Sequence, residues 1–145
     1  MQADGDEKRP WGTFEALGYG QRHKIARVTL QPGQRTSLHS HLYRREVLTV
    51  LQGQLRAVIN GKTFCALEGQ TLHVGYGEVH RLENAGAGPV VLSEVQYGSA
   101  CQEQDHTRYA DEYGRLLTDR NRYNPGEGVR SQMASAMTEQ FIPEF

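Results

Sequence analysis

The histidine and glycine pattern between Gly33 and Asn84 limits what this chain can fold into more than any other feature. His39 and His41 flank Ser40, Glu46 follows, and Gly33 and Gly53 frame the run as G-x5-HxH-x4-E-x6-G. A second run, Gly69, Gly75, Gly77, His80 and Asn84, reads G-x5-G-x-G-x2-H-x3-N. Successive side chains of a strand point to opposite faces, so His39 and His41 share one face and Ser40 takes the other. Their imidazoles can then converge on one ion. Glu46 lies an odd number of residues from His41, so Leu42 to Arg45 must contain a turn or bulge that resets the face. His80 has to arrive from a strand distant in sequence and adjacent in space. Imidazoles from His39, His41 and His80 with the Glu46 carboxylate leave one or two open positions on a six-coordinate ion, and such N/O sites suit Fe, Mn, Ni, Cu or Zn. Open positions imply catalysis or ligand capture. Solvated strand faces would account for one His-x-His, but not for the added glutamate, the distant histidine and the glycine frame together. His23, His73 and His106 lack such company and are expected to be surface or hydrogen-bonded structural groups.

A chain of 145 residues suits one domain with a proper interior. Its 16 Lys and Arg against 17 Asp and Glu give a net charge of -1, which provides no basic field for a nucleic-acid backbone or an anionic membrane. Cys65 and Cys101 form no closely spaced cysteine framework, and a domain of this size folds without staples, so a reducing, cytoplasmic setting is expected. The start, MQADGDEKRP, is polar and acidic, and no apolar run reaches the roughly 18 residues that a membrane span requires, so neither export nor insertion is expected.

Short runs rich in Val, Leu, Ile, Thr and Phe alternate with turn signals from Arg9 to about Tyr97, the pattern of an all-β sandwich or barrel. Residues 1–8, charged and glycine-containing, are expected to fray. Strands are expected at 14–17, 24–30, 36–39, 46–51, 55–59, 62–67, 70–74, 80–83 and 90–96. Asn60-Gly61 is the clearest hairpin turn, because both residues accept positive φ. Asp105 to Leu117 has a helix-compatible composition, with Tyr109, Tyr113, Leu116 and Leu117 spaced for a short amphipathic turn. Met133, Met137 and Phe141 recur every four residues and would form one apolar stripe on a helix, an ordinary packing element rather than a lid or a dimer-swapped arm.

The two glycine-histidine runs resemble the paired motifs of the cupin superfamily, with Gly75 where proline is common. A closer resemblance is carried by Arg9-Pro10-Trp11-Gly12, by Arg27 to Gly33 (RVTLQPG), by His80-Arg81-Leu82-Glu83-Asn84, by Glu94 to Gly98 (EVQYG) and by Tyr113-Gly114-Arg115. Together they are similar to the cupin domain of type II phosphomannose isomerases, which also occurs fused to mannose-1-phosphate guanylyltransferases. The resemblance implies a double-stranded β-helix (cupin jelly roll) over residues 9–115; residues 116–145, beyond it, are expected to form a short C-terminal helical extension. It also implies a homodimer, and a divalent transition metal (Zn, Mn, Fe or Ni) on His39, His41, Glu46 and His80. The implied activity is aldose-ketose isomerisation of a sugar phosphate, a small-molecule substrate.

Where that family has glutamine at the first ligand position, then a histidine-rich stretch and Glu-His-Trp, this chain has His39, Leu42, Tyr43, Val47 and Leu48. These changes offer a hydroxyl-rich substrate fewer polar partners, and they keep two alternatives open: an iron-dependent cupin dioxygenase, and a non-catalytic metal-binding or sugar-binding module. For an isomerase, Glu94 is a candidate base if its strand face points inward, and Tyr43 a candidate donor to a developing oxyanion. Arg27 and Arg44 are candidate phosphate ligands, whereas Arg81 should face away from His80.

Overall fold

The protein is described by a computed structural model over residues 6–102 and 104–113. These residues form strands in two antiparallel sheets. The larger sheet contains β1 (Asp6–Arg9), β2 (Gly12–Tyr19), β3 (His23–Leu30), β5 (Arg44–Gln52), β8 (Thr71–Val74) and β10 (Val90–Gly98), in the order β1-β2-β3-β10-β5-β8. The smaller contains β4 (Leu38–Ser40), β6 (Leu55–Ile59), β7 (Lys62–Ala66), β9 (His80–Glu83) and β11 (Thr107–Ala110), in the order β11-β4-β9-β6-β7. The architecture is the all-β double-stranded β-helix that the sequence implies. No helix among the described residues is long and apolar enough to cross a membrane, and Cys65 and Cys101 are free thiols.

Alternation decides what each strand buries. Ala26, Val28 and Leu30 of β3, Leu48 and Val50 of β5, and Val90 and Leu92 of β10 point inward and meet Leu55, Ala57 and Leu82 from the other sheet. Burying each larger aliphatic side chain contributes about 1.5–3 kcal/mol of favourable transfer free energy. Between β6 and β7 the chain reverses at Asn60 and Gly61, with φ of 49° and 83°, the left-handed pair that a two-residue hairpin needs. Backbone hydrogen bonds join the two glycine frames: Gly33 N donates to Asn84 O at 2.9 Å, and Asn84 N donates to Gln34 O at 2.9 Å. The Asn84 side chain donates to Leu30 O and Gly88 O at 2.9 and 2.8 Å, so this motif position is a cross-brace between loops.

The structure differs from the sequence expectations at both ends. Residues 6–8, expected to fray, belong to β1, which pairs with β2 from Asp6↔Glu15 to Arg9↔Gly12. Its charged composition carries no strand signal of its own, and charge is what an outermost strand tolerates. Within the stretch expected to be helical, Thr107–Ala110 is strand β11, paired with β4 through Thr107↔Ser40 and Arg108↔His39. β4 has only three residues, all buried, and its second edge needs a hydrogen-bonding partner, a tertiary demand that overrides local composition. The Met133, Met137 and Phe141 stripe lies outside the described residues.

Candidate metal centre

Register brings the candidate ligands together. β4 and β9 pair at His39↔His80, which sets these imidazoles side by side on the inner face, with ring centroids 4.2 Å apart. His41 follows directly after β4, and Glu46 enters from the opposite sheet on the inward face of β5. Leu42 and Tyr43 form the bend that parity demands between His41 and Glu46. The Asp105 carboxylate fastens this bend by accepting hydrogen bonds from the backbone N–H groups of Leu42 and Tyr43 at 2.7 and 2.9 Å. Gly77, with φ of 71°, holds the other side by donating from its N to His41 O at 2.7 Å. One donor atom from each of His39, His41, Glu46 and His80 lies within 4.8 Å of all the others. The four side chains are buried.

The second ring nitrogens fix which lone pairs are available. Nδ1 of His39 donates to Ser37 O at 2.8 Å and Nδ1 of His80 to Glu78 O at 2.9 Å, while Nδ1 of His41 lies 2.6 Å from Asp105 O and 2.9 Å from Arg44 Nη2. A backbone carbonyl can only accept, so in neutral His39 and His80 Nδ1 carries the hydrogen and Nε2 is left with a lone pair, the arrangement a metal-ligating histidine requires, whereas His41 Nδ1 also faces a guanidinium that can only donate, so either of its nitrogens can carry the hydrogen. His80 Nε2 lies 2.6 Å from Glu46 Oε2, and His41 Nε2 lies 3.7 Å from the same oxygen. Two lone-pair atoms at 2.6 Å need a proton or a cation between them. The donor set therefore fits a divalent transition-metal ion.

The electrostatics divide the cluster. Burial, reinforced by the neighbouring histidines, holds His39 well below the usual histidine range. Burial likewise lowers His41 to about 4. His80 moves the opposite way: burial opposes its charge, but the Glu46 carboxylate and its hydrogen bond outweigh that and raise it. Burial would raise Glu46, yet His80 and His41 together pull it well below the carboxylate range. Glu94 is raised well above that range by burial and then by the charge and hydrogen bond of Glu46. Two adjoining buried carboxyls resist ionising together, which favours the charge on Glu46 and the proton on Glu94, and so sets Glu94 as a proton donor where the sequence suggested a base.

Of the other sequence candidates, two lie in the site and two do not. Glu94 points inward from β10, with Gln96 Nε2 donating to its Oε2 at 2.9 Å. Arg44 is buried beside His41, its Nη1 donating to Gln102 O at 2.7 Å. Tyr43, expected as an oxyanion donor, sits on the bend and is 55% exposed. It does not line the cup. Arg27, expected as a phosphate ligand, alternates with buried Ala26 and Val28, faces outward and pairs with Glu15, its side chain 51% exposed. Leu42 is also exposed, and Val47 alternates away from the interior, so neither replaces a polar group inside the cup. Arg81 turns from His80 as expected and donates from Nε to Thr36 O at 2.9 Å.

Sequence reasoning missed Asp105 and His106, which approach from the segment leading into β11, and the cations Arg9, Lys24 and Arg108, which also line the cup. The pairing of β11 with β4 carries these residues to the site, and no local spacing announces that pairing.

Fold and site together define a cupin. The family described as "Mannose-6-phosphate isomerase C-terminal" matches residues 1–111, and the chain belongs to that family. It is 37% identical over 108 residues to the mannose-1-phosphate guanylyltransferase ManC of Salmonella typhimurium, covering 74% of this chain and 22% of that protein. It is 38% identical over 107 residues to the alginate biosynthesis protein AlgA of Pseudomonas aeruginosa, covering 74% of this chain and 22% of that protein. The chain thus spans less than a quarter of the length of these curated relatives. Among solved structures, the Schizosaccharomyces pombe Cnp3 cupin domain aligns with a TM-score of 0.58 at 18% identity, covering 59% of this chain and 60% of that one, a likeness of fold alone.

Proposed function

We propose that this chain is a metal-dependent cupin enzyme acting on a small polar metabolite, with aldose-ketose isomerisation of a sugar phosphate as its reaction. The observation that carries the reading is the convergence of donor atoms from His39, His41, Glu46 and His80 within 4.8 Å, with Nδ1 of His39 and of His80 already committed to carbonyls. A divalent ion held there supplies Lewis-acid polarisation of a carbonyl oxygen. Glu94 holds a proton beside the cluster and is the group to exchange it with a substrate oxygen, Gln96 fixing its carboxyl. Arg44, with Lys24, Arg9 and Arg108, brings positive charge to the cup and suits a phosphate group. Membership of the family and likeness to proteins named for mannose 1-phosphate chemistry support the substrate class.

A second reading, an iron-dependent oxygenase, draws support from Trp11, Phe14, Val28 and Leu82, which give the same cup an apolar side. Elemental analysis of protein purified without chelators, paired with NMR of mannose 6-phosphate incubated with it, separates the two. Zn, Mn or Ni with conversion to the ketose phosphate supports isomerisation. Iron with oxygen uptake and no conversion would replace it with the second reading, and absence of any bound metal would refute both.

A further inference from the structure

The cup contains a histidine that the metal cluster does not use. His106, on the segment just before β11, stacks on His39 with ring centroids 4.6 Å apart and planes 10° from parallel, and meets His41 edge-on at 5.1 Å. It lines the same cavity as the four ligands, yet stands outside the set whose donor atoms lie within 4.8 Å of one another. Its Nε2 is buried without a hydrogen-bond partner. Gln96 Oε1, on the facing sheet and lining the same cavity, is buried in the same condition. Either tautomer of a neutral imidazole leaves Nε2 able to donate or to accept. Burying such an atom unsatisfied is costly, and a ring needed only for stacking would not have to carry it.

We propose that His106 is a substrate-binding residue, its Nε2 hydrogen-bonding an oxygen of the small molecule that occupies the cup beside the four-residue cluster. The ligand class is a small molecule with adjacent hydroxyl, carbonyl or carboxylate oxygens, one oxygen directed to the cluster and another to His106. The assignment rests on the metal-centre reading above. It adds a group that selects the ligand rather than holding the ion.

The test uses the full chain loaded with Co(II) and titrated with glycolate, a probe with both a hydroxyl and a carboxylate, followed by the visible Co(II) spectrum. His106→Phe keeps a flat ring against His39 but removes both nitrogens, and His106→Gln restores a polar group without the ring. Both variants should bind Co(II) within a factor of about three of the parent, while His106→Phe weakens glycolate binding about tenfold and His106→Gln recovers part of that loss. Unchanged glycolate affinity in His106→Phe, or no measurable glycolate binding by the parent, overturns the assignment. A large loss of Co(II) in either variant also overturns it, by making His106 part of the ion's own support. If His106→Phe does not fold, His106→Leu carries the same comparison. Failure of the parent to bind Co(II) sinks the metal reading and this inference with it, whereas normal Co(II) binding with indifferent glycolate binding sinks this inference alone.

Discussion

Glu46 and Leu48 stand two residues apart on the inward face of β5, and Glu94 and Leu92 stand two apart on the inward face of β10, yet each strand serves two opposite ends of the interior. Toward Arg44 and Gly98 the facing side chains are Arg44, Glu46, Gln96 and Glu94, which line the cup. Toward Gln52 and Val90 they are Leu48, Val50, Leu92 and Val90, which are almost completely buried and belong to the apolar core. The pairing is antiparallel through both, with one register shift between Val91 and Leu92. Alternation alone therefore decides that a residue points inward, and position along the strand decides whether it meets hydrocarbon or a polar cup. The dry end can hold the sheets together at a geometry the polar end needs but could not maintain, because burial opposes the charge on His41, Glu46, His80 and Glu94.

The largest effects should fall at the dry end and be confined to stability. Leu92→Ala removes a completely buried side chain and should cost about 2–5 kcal/mol. Urea unfolding would register this, while the Co(II) affinity of the remaining folded fraction stays near that of the parent. A loss of affinity as large as the loss of stability would show that the two ends are not separable. His41→Ala is the converse: it should remove most bound metal, lowering affinity on the order of 100-fold, with a smaller change in unfolding free energy. Elemental analysis of the two purified variants side by side checks both halves of the contrast.

The same contrast explains what was legible in the sequence. Parity with Leu92 and Val90 places Glu94 inward, and parity with Glu46 places Arg44 inward, so both could be assigned to the site from strand alternation. By that rule Arg27, between Ala26 and Val28, had to face out, and an arginine's suitability for phosphate could not overcome its position. The four clustered donors were legible because their spacing combines a strand period with one compulsory bend. β1 and β11 were not, since their identity as strands comes from partners far along the chain. Asp105 and His106 went unread for the same reason: β11 pairs with β4 and carries Asp105 to the bend at Leu42 and His106 to the ring of His39, contacts that no local pattern encodes.

Asp105 offers an intermediate test, since it acts on the cup from outside the ligand set. Its carboxylate holds the backbone of the Leu42–Tyr43 bend and its carbonyl orients His41. Asp105→Ala removes the first function and leaves the second. The expected result is a Co(II) affinity reduced about tenfold, with partial recovery in Asp105→Asn, whose side-chain oxygen can still accept one of the two N–H bonds. Affinity equal to the parent in Asp105→Ala would mean that the bend is held without this carboxylate, and that the polar end is more self-supporting than the contrast allows.

The smallest effect is the number of protons exchanged when the cup takes up an ion. His41, lowered to about 4 by burial, is already neutral at pH 7, and His39 lies well below its usual range for the same first reason. Glu46 is already ionised. Of the four, His80 alone is raised, so below its raised pKa it alone holds a proton that an incoming ion must displace. Below the raised pKa of His80, binding should therefore release about one proton rather than three, and affinity should climb as pH rises through that pKa and fall below it. Titration calorimetry of Co(II) binding in buffers of different ionisation enthalpy counts these protons directly. A release close to three would mean that burial does not keep His39 and His41 neutral. A release close to zero would mean that Glu46 does not hold His80 protonated, and either result would break the division of the cluster into neutral ligands and one charged pair.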